Sequence, residues 1–342
     1  MPVRAMPRSC HSSNAPDAPV LSIVVPAYRE AANLERLHEE VARCLAPIWC
    51  TWELILVDDG SPDTTWEGIV ELHKKDSRVR GIRLSRNFGH QYALLAGLSA
   101  ARGASVITMD ADLQHPPAVI PVLIEEWQRG SKIVHTVRKD SLEVSWTKRV
   151  TSRMFYRVFS FLSGVPISPG MADFRLLDRQ VVTEILKLKE SGLFWRGLVQ
   201  WVGYRSTSIE YDCARRFAGK TSYDLRRMLR FAWTGITSFS IVPLRMATVL
   251  GLLTSLFAFY ELMSAVYIKL FTHHSVPGWA SLYGLVSLLF GVLFILLGMI
   301  GEYIARILEE VRERPRFVIS DETVREHAQV SEFDRVAHAT SQ

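Results

Sequence analysis

Val106-Ile107-Thr108-Met109-Asp110-Ala111-Asp112-Leu113-Gln114 is the stretch on which the reading of this chain turns. A short apolar β-forming segment ends in two carboxylates one residue apart, followed by a glutamine. Such oxygens are hard ligands. Two carboxylates at the mouth of a buried strand suit Mg²⁺ or Mn²⁺ shared with a diphosphate. They equally suit an acidic turn capping a helix that begins near Pro116. The motif alone leaves both readings open, so the flanking sequence has to choose between them.

Outward from that stretch, strands and amphipathic helices alternate from Val20 onward. Val20–Val25 is a β-rich run ended by Pro26. Leu34, Leu37, Val41 and Cys44 share one face of a helix over Asn33–Leu45. Trp52–Val57 is a second strand, and Thr64–Lys74 a helix with Asp63 as candidate N-cap. Val79–Leu84 is a third strand, Gly89–Ala101 a helix, Ala104–Met109 a fourth strand, Pro116–Arg129 a helix and Lys132–Val137 a fifth strand. Continuous apolar strands joined by helices of this length predict an α/β fold with a mostly parallel sheet covered on both faces. Ligands of such a sheet bind beyond the carboxyl ends of the strands. The residues placed there are Pro26-Ala27-Tyr28-Arg29-Glu30, Asp58-Asp59-Gly60-Ser61, Ser85-Arg86-Asn87-Phe88-Gly89-His90, the Asp110/Asp112 pair and Arg138-Lys139-Asp140. One acidic loop would read as a helix cap; five polar loops on one rim read as a site. No G-x-G-x-x-G follows the first strand and no G-x-x-x-x-G-K-[ST] occurs, which argues against the dinucleotide and P-loop folds.

The last third of the chain differs in kind. Hydrophobic residues make up 48% of the 342, and they concentrate in two runs, Met246–Ile268 and Ala280–Gly301. Each is long enough to cross a bilayer, which takes about twenty helical residues. The short link Lys269–Trp279 contains Pro277 and Gly278, so a transmembrane helical hairpin is expected. Arg226, Arg227, Arg230 and Arg245 precede the first run; Arg306, Arg312, Arg314 and Arg316 follow the second; the link has only Lys269. The positive-inside rule then puts the N-terminal domain and the C-terminal tail in the cytoplasm. Leu225–Phe239 mixes arginines with large apolar residues and reads as a helix lying on the inner leaflet. Glu261, inside the first run, is expected to face a helix partner, preferably across an oligomer contact. Glu302 is expected to pair with nearby arginines.

The net charge of +5 fits nucleic acid, a membrane surface or phosphorylated substrates. With two membrane runs present, no nucleic-acid partner is expected. Cys10, Cys44, Cys50 and Cys213 have no metal-ligand spacing and read as reduced thiols. The expected organisation is a disordered tail (1–19), a cytoplasmic domain (20–221), an amphipathic segment (222–245), two spans (246–268 and 280–301) around an external loop (269–279), and a cytoplasmic C-terminal tail (302–342) to which no role is assigned. The first nineteen residues lack the apolar core of a signal peptide.

Taken together, Val24-Val25-Pro26-Ala27-Tyr28-Arg29-Glu30, Val57-Asp58-Asp59-Gly60-Ser61 and Asp110-Ala111-Asp112-Leu113-Gln114 resemble the family 2 glycosyltransferases of the Rossmann-like GT-A fold. A closer resemblance is to the polyprenyl-phosphate glycosyltransferases of the dolichol-phosphate mannose synthase-like group. Within it, the two-helix bacterial transferases of the GtrB and ArnC type are the most similar. Ser85–His90, Asp173-Phe174-Arg175-Leu176, Arg216–Thr221 and Gly301-Glu302-Tyr303-Ile304 support this, and the resemblance runs from about Leu21 to Phe317.

The resemblance implies a metal-dependent, inverting transfer of a sugar from a nucleotide-sugar to polyprenyl phosphate at a bacterial inner membrane; a homo-oligomer of unread number is expected because a two-helix hairpin buries little within the membrane by itself. It implies that Pro26, Tyr28, Glu30 and Asp58 line the base and ribose pocket, with Asp59, Asn87, His90 and Asp110 in the same nucleotide-sugar site. Asp110, Asp112 and Gln114 would hold Mg²⁺ or Mn²⁺ and the diphosphate, and Arg216 and Lys220 would contact phosphate. Asp173 is the family's position for a catalytic carboxylate, with Arg175 beside it. The residues alone leave plainer roles open: a packing aromatic for Tyr28, a helix cap for His90, a solvated basic loop for Arg215–Lys220, and a structural partner of Asp173 or Asp178 for Arg175. Glucose from UDP-glucose is the first choice by resemblance; mannose, an N-acetylhexosamine or an aminoarabinose are the alternatives. A processive polysaccharide synthase would show Q-x-x-R-W, whereas here Gln200 is followed directly by Trp201. An inactive membrane scaffold would have no use for both acidic-motif carboxylates.

Overall fold

The computed structural model describes residues 19–48, 50–138, 171–188, 195–211, 242–271 and 278–323. Its centre is an eight-stranded sheet. The strands are β1 (Leu21–Ala27), β2 (Trp52–Asp58), β3 (Val79–Leu84), β4 (Ser105–Thr108), β5 (Ile133–Arg138), β6 (Met171–Asp178), β7 (Ser206–Tyr211) and β8 (Ile319–Glu322), in the spatial order β7-β5-β6-β4-β1-β2-β3-β8. β1 pairs in parallel with β2 and β4, β2 with β3, and β5 with β7. β6 is antiparallel to both β4 and β5, and β8 is antiparallel to β3. The sheet is thus mostly parallel, as the alternation of elements predicts.

Helices α1 (Ala31–Leu45), α2 (Thr65–Lys75), α3 (His90–Ala100), α4 (Ile120–Gln128), α5 (Arg179–Lys187) and α6 (Trp195–Trp201) cover the two faces. One layer of core joins Ile23, Val25, Leu54 and Leu56 to Leu34, Leu37, Ile69 and Leu123. The other joins Val24, Ile55 and Val57 to Leu94, Leu98, Val182 and Trp195. Burial on both faces explains why the strand sequences are continuously apolar instead of alternating.

Pro26 does not end β1, as the sequence had implied; the strand continues to Ala27. The Met109 N–H bonds Val24 O on the β4 side, and the Asp59 N–H bonds Ala27 O on the β2 side. Alternation therefore turns the nitrogen of Pro26 toward β4, beyond that strand's last residue, where no ladder bond is lost. Asp63 lies one position before the N-cap Thr64 of α2, yet its carboxylate accepts from the Thr65 N–H and hydroxyl.

The C-terminal tail, left without a role by its polar sequence, supplies β8. The Ser85 N–H donates to Val318 O, and Gly81 exchanges bonds with Thr323. The segment after the second long helix is therefore part of the same sheet as the N-terminal strands.

Helices α7 (Val242–Phe271) and α8 (Trp279–Val311) form a hairpin, with Leu296 against Gly251. Their membrane-length portions are Leu244–Ser264 and Gly284–Val311, set slightly apart from the runs read in the sequence. Leu252, Phe259, Phe271 and Phe294 are all more than half exposed. An apolar surface of that extent is foreign to a soluble monomer. Glu261 is also exposed in the single chain. The expected interfacial segment Leu225–Phe239 lies outside the described residues.

Candidate active site

A cleft of about 490 Å³ opens at the carboxyl ends of the central strands. That size suits a small ligand. β1 contributes Pro26 and Ala27, with Tyr28 and Glu30 just beyond it. Asp59 follows β2; Asn87, Gly89 and His90 follow β3; Asp110, Ala111 and Asp112 follow β4; Asp173 comes from β6. Nine of the residues singled out in the sequence therefore meet in one place: Pro26, Tyr28, Glu30, Asp59, Asn87, His90, Asp110, Asp112 and Asp173.

Backbone geometry explains how the loops converge. Gly60 has φ +63°, and a Cβ there would come within 2.4 Å of the Arg86 backbone. Only glycine lets the loop after β2 press so closely on the loop after β3. Across this contact, Asp59 accepts from the N–H groups of Phe88 and Gly89 at 2.8 and 2.9 Å. It thereby shapes the start of α3, which carries His90. Arg29 and Leu113 adopt φ 60° without being glycine. Both lie in cleft loops, a setting in which such strain is common.

Several expected site residues sit elsewhere. Asp58 does not line the cleft: its side chain is fully buried, accepts from the Ser61 N–H at 2.9 Å and lies 3.4 Å from Arg83 Nε. Burial pushes its carboxyl up from the ordinary range, and does the same to Asp59, in each case against backbone donors that favour the charged form. Asp58 therefore braces its turn. Gln114 is not among the cleft-lining residues, and its N–H donates to Asp112 Oδ1 at 3.1 Å. Arg175 is 1% exposed and lies behind the cleft, where Nη2 donates to Asp173 Oδ1 at 3.0 Å. This bond ties the buried guanidinium to the carboxylate that lines the cleft. Arg216 and Lys220 lie outside the described residues.

The carboxylate of Asp110 is flanked by two imidazoles, with His90 Nε2 3.6 Å from Oδ1 and His115 Nδ1 3.6 Å from Oδ2. The sequence reading passed over His115. Its place between Gln114 and the Pro116-Pro117 pair was the available signal, because prolines hold the preceding chain extended and so limit where such a side chain can go.

The donor set fits a divalent ion in part. Asp110 and Asp112 offer hard oxygens on one wall of the cleft, and among the described residues no cluster of three or more His, Cys, Asp or Glu forms a closed cage. Two carboxylates suit Mg²⁺ or Mn²⁺ completing its shell with substrate oxygens and water.

Behind the cleft, His135 on β5 is opposite Arg175 in the sheet register and is 2% exposed. Burial, and next the charge of Arg175, push its imidazole down to about 4. Folded and unfolded chains both hold it neutral at pH 7. As the pH falls from 6.5 to about 4, the unfolded chain gains a proton that the folded site refuses. Stability should therefore fall through that window, by on the order of 3 kcal/mol across it. Melting of the detergent-solubilised protein at pH 7 and pH 4.5 measures this. The drop should shrink in His135→Asn; an equal drop in both proteins would exclude His135 as its source.

The glycosyl transferase family 2 model matches residues 22–186. An uncharacterized glycosyltransferase of Synechocystis sp. is 40% identical over 301 residues, covering 88% of this chain and 95% of that protein. A bactoprenol glucosyl transferase of Shigella phage SfV is 38% identical over 304 residues, covering 88% and 98%. Among solved structures, a mannosyltransferase of Pyrobaculum calidifontis in complex with GDP-Man and Mn²⁺ aligns over 88% of this chain and 89% of that one, at 17% identity and a TM-score of 0.45.

Proposed function

Since the chain belongs to glycosyltransferase family 2 and is a glycosyltransferase, we propose that it transfers glucose from UDP-glucose to polyprenyl phosphate at the cytoplasmic face of a bacterial inner membrane. The observation that carries this reading is a polar cleft with both acidic-motif carboxylates on a chain that also bears two exposed, membrane-length helices. Relatives named as bactoprenol glucosyl transferases, aligned across nearly their whole length, support the same donor sugar and acceptor lipid. β8 adds an argument for topology. The tail that leaves the second span pairs with β3, so the catalytic domain and the tail share one side of the membrane. The arginines flanking both spans favour the cytoplasmic side. A homo-oligomer would cover the exposed Glu261 face of α7.

The acceptor phosphate attacks the anomeric carbon from the face opposite the diphosphate. A new C–O bond forms as the bond to the nucleoside diphosphate breaks, so configuration inverts. Asp110 and Asp112 would hold Mg²⁺ or Mn²⁺, whose chemistry when bound is to neutralise charge on the departing diphosphate. Tyr28, Glu30, Asp59 and Asn87 would position the nucleoside. A phosphate monoester, with a second pKa near about 6, is already largely dianionic at neutral pH. Asp173 therefore has little proton to remove, and its main work is to orient the reacting groups.

The test is a radiolabelled-sugar transfer assay on the full-length protein with undecaprenyl phosphate, Mg²⁺ or Mn²⁺ and a panel of nucleotide-sugars. A lipid-soluble product from UDP-glucose is expected. A different productive donor would replace glucose with mannose, an N-acetylhexosamine or an aminoarabinose. A folded protein that gives no lipid-soluble product from any donor would overturn the reading.

A further inference from the structure

His115 lies behind the cleft wall with its side chain 8% exposed. Its Nδ1 accepts the Asp110 N–H at 3.1 Å, which leaves the proton of the neutral ring on Nε2. The ring stacks on Phe174 with centroids 5.2 Å apart and planes 16° from parallel, and it meets Tyr211 edge-on at 6.2 Å. Phe174 immediately follows Asp173, whose carbonyl accepts from the Thr108 hydroxyl at the end of β4. One imidazole thus joins the loop that carries Asp110 to the strand that carries Asp173.

The loop needs such a brace. Leu113 sits at φ 60° without being glycine, and the chain turns sharply between Asp110 and Pro116. Two bonds close this turn from either side: Gln114 N–H to Asp112 Oδ1, and Asp110 N–H to His115 Nδ1. The second ties the Asp110 backbone to an aromatic stack anchored on β6 and β7.

We propose that His115 is the positioning residue of the acidic loop: its Nδ1 and its stacked ring hold the Asp110 carboxylate in a set relation to Asp173 across the cleft. A divalent cation with its nucleoside diphosphate then meets a pre-formed wall. This rests on reading the cleft as a nucleotide-sugar site. Groups that orient a metal-binding carboxylate typically contribute about 10–100-fold to metal affinity or activity.

Two substitutions separate the two contacts. His115→Asn places an amide oxygen close to the position of Nδ1, keeping the acceptor and losing the ring. His115→Phe keeps a ring that stacks on Phe174 and loses the acceptor. The measurements, on full-length protein in detergent, are calorimetric UDP binding with and without Mn²⁺, the kcat and KM of transfer, and the melting temperature. His115→Phe is expected to weaken Mn²⁺-dependent UDP binding by about tenfold or more and to lower kcat, with metal-free UDP binding unchanged. His115→Asn, which keeps the acceptor without the stack, is expected to lose less than His115→Phe but to remain below the wild type. A His115→Phe protein that binds and turns over like the wild type overturns the inference. So do two variants whose binding falls only in step with their melting temperatures, which would mark a packing role. A wild-type protein that binds no UDP with either cation overturns the reading of the cleft itself, and this inference with it.

Discussion

Replacing Asp112 by asparagine is expected to lower kcat/KM for sugar transfer by about a thousandfold, or about 4 kcal/mol of transition-state stabilisation. The variant is chosen because the fold should not notice it. Asp112 Oδ1 accepts the Gln114 N–H, and an asparagine oxygen can accept it equally. What disappears is a negative charge on the cleft wall, half of the hard-oxygen pair that would hold a divalent ion. Asp110→Asn should behave alike, because the Asp110 N–H bond to His115 involves only backbone on its side. Each variant should melt within a few degrees of the wild type and lose the Mn²⁺-dependent component of UDP binding. Transfer within threefold of the wild type would remove these carboxylates from the mechanism.

The second large effect divides chemistry from architecture at the neighbouring pair. Asp173 lines the cleft, whereas Arg175, two residues on, is buried behind it, and the two are joined at 3.0 Å. Asp173→Asn keeps an oxygen for the Arg175 guanidinium and removes the charge that faces the cleft. Turnover should fall about a hundredfold with UDP affinity retained, near the lower end for a group acting on the reacting atoms. The acceptor's dianionic state argues against a larger loss. Arg175→Met should act first on stability, by about 3 kcal/mol, because it removes a buried guanidinium that is ion-paired with a largely buried carboxylate. Chemical denaturation of the detergent-solubilised full-length protein measures the latter. An Arg175→Met protein as stable as the wild type would exclude this bracing role for the Arg175–Asp173 pair.

Much of this was legible in the residues because it depends on neighbours in sequence. The central strands β1, β2 and β4 are dominated by buried apolar residues, as strands covered on both faces must be, whereas β3 carries the half-buried Arg80 and Arg83. The loops after β1 to β4 carry their polar residues at the carboxyl ends whatever the partner strand is, so Tyr28, Glu30, Asp59, Asn87, His90, Asp110 and Asp112 could be placed on one rim before any coordinates. The two membrane-length runs were equally plain, since a bilayer requires each helix to be apolar on its own.

What the tertiary structure alone decided depends on contacts between distant segments. β6 inserts antiparallel between β4 and β5, with Arg175 opposite both Thr108 and His135. No periodicity in its sequence announces that neighbour, yet it is what brings Asp173 to the cleft and buries Arg175 behind it. Asp58 and Asp59 look interchangeable as adjacent carboxylates, but Asp58 ends β2 and accepts from its own turn at Ser61, whereas Asp59, just past the strand, accepts from Phe88 and Gly89 at the edge of the cleft. Ile319–Glu322 is too short and too polar to read as a strand, and it becomes one because the open edge of β3 supplies its hydrogen bonds. His115 gained its importance only when Phe174 arrived beside it. Local sequence determined which segments are strands, helices and spans, since that depends on each segment's own apolar pattern. Strand order and the partners of buried polar groups were left to the tertiary fold, because a hydrogen bond or an ion pair has no meaning until its second member is in place.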